Sequence, residues 1–375
     1  MRSVERLMVY YKGDHVGTMA LTRDHRAAFE YADSWIKNGF SISPFSLPLK
    51  KEVFVSGKMH FQGLFGVFAD SLPDSWGQLL LSRLLKKNGI SMDELTVLDR
   101  LAIVGTSGMG ALEYRPEIVL NTAETHLNLD QLAAECQKIL TTEYSENLDE
   151  LYRLGGSSGG ARPKIMTDVD GEPWIIKFPA HGDRMDAGVM EYEYSLCAGH
   201  CGISMTETKL FPSETAGGYF GTKRFDRIRR EDGTREKVHT LTAAALLELD
   251  FRQPSLDYHS LMKLTNILTR NSDYDLEQMF RLMCFNVFAH NRDDHSKNFT
   301  YIYDEDAWRL SPAYDLTYST TYFGEHTTSV DGNGRNPGKK ELMAVGVGAG
   351  LKKRFCQSVI KDVEECVKGE LGRYL

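Results

Sequence analysis

Past the two-thirds point of the chain the sequence reads His290-Asn291-Arg292-Asp293-Asp294-His295-Ser296-Lys297-Asn298-Phe299, and Tyr314-Asp315 follows after a further hairpin-like stretch. Phosphoryl transfer asks for this set of groups. It needs a carboxylate to orient the attacking hydroxyl, a cation against the γ-phosphate, and oxygen donors that hold magnesium on the phosphates. Asp293 is the candidate acid, and Lys297 the candidate cation. The Asn298 carbonyl and the Asp315 carboxylate suit magnesium. A hydrolytic metal centre built on His290, Asp293, Asp294 and His295 competes, since imidazole and carboxylate suit zinc or iron. No second cluster completes it, and it leaves Lys297 unexplained. Apolar residues at Leu276, Met279, Phe280, Met283, Cys284 and Val287 predict a helix ending near Ala289. That would place Asp293 and Asp294 at a helix C-terminus, where the dipole disfavours anions unless a cation or a catalytic task is present.

A second chemical segment lies upstream. Gly155-Gly156-Ser157-Ser158-Gly159-Gly160 precedes Pro163-Lys164, an Asp170-Gly171 turn, and Trp174-Ile175-Ile176-Lys177-Phe178. This is a glycine loop inside a hairpin pattern, and glycines let backbone N–H groups approach phosphate oxygens closely. Its bland alternative is a solvent-exposed turn. Ser157 and Ser158 are hydroxyls that could accept phosphate. Lys177 ends an apolar strand and could meet the α and β phosphates, fixed by a carboxylate on the helix predicted over Met185–Gly199. The alternative is a strand-end lysine whose head reaches water. Glu191 and Glu193 both lie on that helix, and two residues apart they cannot face the same way. Cys197, His200 and Cys201 also sit there at metal-ligand spacing. A structural zinc site needs four ligands, and no partner pair is evident, so buried helix cysteines are the favoured reading.

The elements that must position these groups follow from periodicity. A hairpin is predicted at Leu7–Tyr11 and Val16–Leu21, a helix over Arg26–Asn38, and a helical run after Leu72-Pro73-Asp74-Ser75-Trp76-Gly77. A polar stretch from 116 to 145 carries a helix at Leu129–Leu140, and from Leu151 the pattern turns to strands, with another at Tyr219–Asp226. Beyond about 235 helices return at Thr242–Leu249 and Tyr258–Leu268. The pair Phe299–Tyr303 and Ala307–Leu310, turning at Asp304–Asp306, should bring Asp315 back to the acidic loop. A β-rich half with glycine loop and lysine before a helical half with the acids is the order of a two-lobed kinase.

The 375 residues exceed one core, so two or three domains are expected. A net charge of −8 argues against a broad, sequence-independent grip on nucleic acid. Six scattered cysteines suit a reducing compartment. The start of the chain has no signal-peptide pattern, and no apolar run reaches the roughly 18 residues of a membrane span, so a soluble cytoplasmic protein is expected.

The motifs together resemble HipA-type serine/threonine kinases, toxins of bacterial toxin–antitoxin pairs. The resemblance covers nearly the whole chain. It rests on Leu72–Gly77, Gly108-Met109-Gly110-Ala111-Leu112, the Ser157–Lys164 loop, Ile176-Lys177-Phe178-Pro179 and Arg224-Phe225-Asp226-Arg227. It continues through His295–Phe299, Pro312–Asp315, Gly324-Glu325-His326 and Gly332–Pro337. It implies an α+β, bilobal kinase-like fold with an N-terminal β-rich subdomain (1–120), a kinase-like N lobe (121–235) and a helical C lobe (236–375). It implies ATP and Mg2+, a catalytic run of Asp293, His295 and Lys297, and magnesium on Asn298 and Asp315. Ser157, Ser158, Gly159, Gly160, Ala161 and Lys164 would cradle phosphate. Lys177 would meet the phosphates with Glu191 as partner, and the backbone around Lys223 to Phe225 would meet adenine. Autophosphorylation falls on Ser157 or Ser158. Family targets include aminoacyl-tRNA synthetases, whose loss gives growth arrest or persistence. The partner is a HipB-like helix-turn-helix antitoxin, so DNA is reached only through it. The loop here reads Ser-Ser-Gly-Gly-Ala-Arg-Pro-Lys rather than Ser-x-Ala-Gly-Ala-Gln-x-Lys. A catalytically silent co-repressor that docks the antitoxin on DNA is the reading from another class.

Overall fold

Leu7 and Val9 are fully buried while Arg6 and Met8 face outward, the period of two that makes a strand with one wet face. They belong to β1 (Arg6–Tyr11), which turns through Lys12 and Gly13, both at positive φ, into β2 (Asp14–Leu21). β3 (Ala27–Tyr31), α1 (Asp33–Asn38) and β4 (Val53–Val55) follow. The helix expected over Arg26–Asn38 is therefore a strand and a short helix. Ala27, Phe29 and Tyr31 alternate inward, and period two wins over helix propensity there. Three helices come next, α2 (Gly66–Ala69), α3 (Ser75–Lys87) and α4 (Val97–Val104), then β5 (Leu112–Arg115). The five strands form an antiparallel sheet of order β4-β3-β2-β1-β5. This computed structural model describes residues 3–57, 59–120, 122, 125–321 and 323–375. Met1 and Arg2, which open the chain, and Asn121, where the second expected domain begins, lie outside the described residues.

The helix expected at Leu129–Leu140 is α5, opened by an Asn128–Gln131 capping box. α6 (Leu148–Gly155) occupies the stretch where strands were expected; Leu148, Leu151 and Gly155 are buried at helical spacing. β6 (Lys164–Val169) and β7 (Glu172–Lys177) then form a hairpin turning at Asp170-Gly171, both at positive φ. Trp76, Leu80, Cys136, Ile139, Leu151, Ile165, Trp174, Ile176 and Phe178 share one core, so α3, α5 and α6 pack on this sheet.

The chain divides into two compact units. One comprises Met1–Asp186, Phe211–Leu241 and Ala245–Glu248; the other comprises Ala187–Leu210, Thr242–Ala244 and Leu249–Leu375. The second unit begins with α7 (Ala187–His200). β8 (Thr208–Phe211) straddles the division. β9 (Tyr219–Lys223), which pairs with β7, and the ribbon of β10 (Arg227–Arg229) and β11 (Arg235–Lys237) belong to the first unit. β12 (His239–Thr242) and α8 (Ala243–Leu246) also straddle it, α8 being all that forms of the longer helix expected at Thr242–Leu249.

The rest of the second unit is mainly helical, as expected. Its elements are β13 (Leu256–Asp257), α9 (Tyr258–Leu268), α10 (Asp273–Phe288), β14 (Thr300–Asp304), β15 (Ala307–Leu310), β16 (Thr328–Ser329), α11 (Lys339–Gly348) and α12 (Lys353–Leu371). Met279, Phe280, Met283 and Cys284 of α10 are wholly buried. α10 packs on α9 and α12, and α12 on α7. Among the described residues, no helix is long and apolar enough to cross a membrane.

Candidate functional site

In the first unit the glycine loop hangs between the end of α6 and the start of β6, and it is pinned from one side. The Gly160 N–H donates to the Asp74 carboxylate at 2.9 Å, the Asp74 N–H to the Ser158 carbonyl at 3.4 Å, and the Trp76 N–H to the Gly160 carbonyl at 3.3 Å. Asp74 is the N-cap residue of α3, yet its carboxylate accepts from the loop and makes no cap bond to its own helix. Gly160 has φ +80, where a side chain would be strained. At Gly77 a Cβ would come within 2.7 Å of the Gly156 carbonyl oxygen. The Leu72–Gly77 motif is thus the seat of the loop, a role the sequence reading missed.

The two serines differ. Ser158 is buried and donates to the Gly155 carbonyl at 2.7 Å. Ser157 is half-buried and donates to the Ser107 carbonyl at 3.0 Å. Gly159 accepts from the buried Lys164 ammonium at 2.6 Å, and Ala161 is exposed. Lys164 lies directly across the hairpin from Lys177, and Lys223 across from Trp174 on the next strand pair. Like charges facing each other across strands are unfavourable by themselves. The Lys177 and Lys223 ammoniums lie 5.7 Å and 5.8 Å from the ring centres of Phe220 and Trp174.

Phe225 sits in a clasp. Arg224 grips the fully buried Asp226 with two bonds of 2.9 and 2.8 Å, while Arg227 and the Gly110 N–H each reach it at 2.8 Å. Arg227 also donates to the Gly108 and Gly110 carbonyls at 3.0 Å. Burial pushes the Asp226 carboxyl up, but the two guanidiniums outweigh it and hold it below the usual carboxylate range. Two motifs more than 100 residues apart in sequence are therefore one structure.

In the second unit α10 ends at Phe288, with Ala289 as cap and His290 at φ 52. Asp293 and Asp294 lie beyond that turn, so neither occupies the helix C-terminus as expected; the left-handed residue leads the chain away from the dipole. Their fates diverge. The Asp294 side chain is fully buried and accepts from the Tyr258 hydroxyl (2.9 Å), His326 Nδ1 (3.1 Å) and the Thr328 N–H (3.1 Å). Asn286 donates to the same tyrosine hydroxyl at 2.9 Å, and Asn291 to Asn286 at 2.9 Å. Asp293 is exposed. The His326 motif thus holds the loop in shape, a role that spacing gave no signal of.

Ser296–Asn298 form a single 3-10 turn capped by His295, whose Nδ1 accepts from the Lys297 N–H at 3.3 Å. Its ring also lies 5.6 Å from that of Phe251, over which the Lys297 ammonium sits at 4.9 Å. Asn298 donates from Nδ2 to the Asp293 carbonyl at 2.8 Å, which spends the amide's donor end and leaves its oxygen as the ligating end. The hairpin of β14 and β15 returns the chain as expected. The Tyr314 hydroxyl donates to the Lys297 carbonyl at 2.5 Å and pairs with Thr300 Oγ1 at 2.6 Å, anchoring Asp315 beside the loop in a left-handed conformation. An amide oxygen and a carboxylate are hard donors, and they fit Mg2+ rather than a soft ion. His290 and His295 do not gather with the two aspartates as metal ligands among the described residues. Glu191, on α7, is buried within this same unit.

Known proteins carry the same plan. A chain of the Shewanella oneidensis MR-1 complex of HipA, HipB and its operator DNA matches with a TM-score of 0.71 at 17% identity, over 98% of this chain and 90% of that one. The fold is the α+β, HipA-like one. Sequence models agree along most of the length: the HipA N-terminal domain matches residues 7–115 and the HipA-like C-terminal domain residues 156–370. This chain belongs to the HipA family. Two Sinorhizobium fredii (strain NBRC 101917 / NGR234) proteins are similar to it. "Putative kinase Y4mE" is 24% identical over 97% of this chain and 91% of its own length, and "Putative kinase Y4dM" is 28% identical over 44% and 42%.

Proposed function

We propose that this chain is a magnesium-dependent serine/threonine protein kinase, the toxin of a HipBA-like module. The observation that carries this is the division of labour between adjacent acids: Asp294 is consumed by the scaffold, and Asp293 is exposed beside Asn298. Asp293 would orient a serine or threonine hydroxyl and take its proton as the oxygen bonds to the γ-phosphorus. The bond from that phosphorus to the β-γ bridging oxygen breaks, and ADP leaves. Lys297 would offset charge on the transferring group, and His295 would position Lys297 by capping its turn. Asn298 and Asp315 would hold Mg2+, which when bound neutralises phosphate charge. Lys164, Lys177 and the loop from Ser157 to Ala161 would take the phosphates, with Glu191 as partner of Lys177. The backbone from Lys223 to Phe225 would take adenine.

Domain limits near 120 and 235 suit this division of roles, in a cytoplasmic protein. Ser157 is the favoured self-phosphorylation site, because the Ser158 hydroxyl is buried. Nearly two added negative charges in this loop would repel ATP. The complex formed by the Shewanella protein supports a HipB-like antitoxin that carries any DNA contact. A translation component such as an aminoacyl-tRNA synthetase is the proposed substrate.

The test is incubation of freshly dephosphorylated protein with Mg2+ and γ-labelled ATP, alone and with a panel of aminoacyl-tRNA synthetases. Label on Ser157 and on one synthetase is expected, and neither with Asp293→Ala. Absence of transfer to any hydroxyl, with antitoxin binding intact, would instead support the silent co-repressor.

A further inference from the structure

Cys197 and Cys201 lie one helical turn apart at the C-terminal end of α7, and in sequence they are half of a metal site without a second half. The structure supplies that half. α12 packs on α7 and presents Cys366 and Glu370, again one turn apart. The three sulfurs lie within 4.8 Å of one another, and Cys197 Sγ is 3.9 Å from Cys366 Sγ. Glu370 Oε1 is 3.6 Å from Cys366 Sγ. Its carboxylate is held by His200 Nδ1 at 2.9 and 3.0 Å.

The Cys197–Cys366 and Cys366–Glu370 distances are close to those of a tetrahedral centre, while Glu370 stands outside the group of three sulfurs and would swing in to complete it. With zinc–sulfur bonds of about 2.3 Å and zinc–oxygen bonds of about 2.0 Å, sulfurs stand about 3.8 Å apart and sulfur to oxygen about 3.5 Å. Both ligand pairs sit in or just past the last turns of their helices, where the dipoles favour a cation. Cys197 and Cys201 are buried, Cys366 is half-buried, and Glu370 and His200 are exposed, which leaves an entry path. A ligating carboxylate is itself normally hydrogen-bonded, and His200 supplies that bond to Glu370.

We propose that Cys197, Cys201, Cys366 and Glu370 form a structural site for a thiophilic divalent cation, zinc by the chemistry of its donors. Binding releases the three thiol protons to solvent and closes four bonds between α7 and α12. The site staples the last helix to the helix that carries Glu191. A disulfide between Cys197 and Cys366 is the competing fate, but it would leave Cys201 and Glu370 without a role.

Titration of the reduced full-length chain with Co2+ tests this. One equivalent should give the intense visible bands of a tetrahedral thiolate centre, abolished by Zn2+, and protein from zinc-supplemented cells should carry one zinc per chain. Cys366→Ser should weaken Co2+ binding by about 100-fold or more, and Glu370→Gln by about 10-fold with a shifted spectrum. Neither position is fully buried, and circular dichroism checks that the variants fold. No such bands in the reduced wild type, bands indifferent to both variants, or a metal-free Cys197–Cys366 disulfide by mass spectrometry would overturn the site.

Discussion

The glycine loop at 156–163 and the acidic loop at 290–298 are the two chemical segments of the molecule, and they are held by opposite means. The first is tied down by main-chain carbonyls and N–H groups and one carboxylate, Asp74. The second is wrapped around a buried side chain, Asp294, whose partners come from α9, β16 and the segment before it. A rim of backbone bonds can be undone one bond at a time. A buried charge with three donors cannot lose its place without exposing all of them. The difference is between a loop in one unit that can yield step by step and a loop in the other that holds its acid still.

The largest expected effect separates the two acids. Asp293→Ala should lower phosphate transfer about 1,000-fold or more while the melting temperature stays put, read by labelled transfer and calorimetry. Asp294→Ala should cost about 3 kcal/mol of stability as well, because Tyr258, His326 and the Thr328 N–H lose their acceptor. If Asp294→Ala melts like wild type, the scaffold half of the comparison fails.

Acid should then discriminate the units. His239, wholly buried in the first unit, donates from Nε2 to the Ile42 carbonyl at 2.8 Å, and burial pushes its pKa down from 6.5 to about 4. The folded imidazole stays neutral where the unfolded chain takes up a proton. Its contribution is therefore intact above pH 6.5 and declines as pH falls to about 4, by about 3 kcal/mol across that window. Hydrogen exchange should show β1–β5 loosening first, and His239→Gln should flatten the trend. The smallest effect concerns the loop seat. Asp74→Ala should cost about 1 kcal/mol and speed exchange at Gly160 without altering exchange around Asn298. Equal loosening of both loops would show that they are not held independently.

The turns that carry the candidate chemical residues were legible in the sequence because their spacing is local. Asp293 to Asn298, the hairpin that returns Asp315 and the Asp170-Gly171 turn before Lys177 all follow from turn chemistry and periodicity. What positions them was not legible. Asp294 needs partners 32 to 36 residues away, Gly160 needs Asp74 at a separation of 86, and nothing in those intervals signals contact. β3 and α6 were misread because each is short, and over five to eight residues a period of two and one of 3.6 are hard to tell apart.

The Arg224–Asp226–Arg227 clasp bears on how relatives could be recombined. It closes on the backbone of Gly108 and Gly110, inside the stretch that matches the HipA N-terminal domain, while its side chains come from the stretch that matches the C-terminal one. A chimera that imports residues 7–115 from a cousin would inherit a foreign lock for a resident key. Transplants that carry both segments together should express as soluble chains, and those cut between them should not.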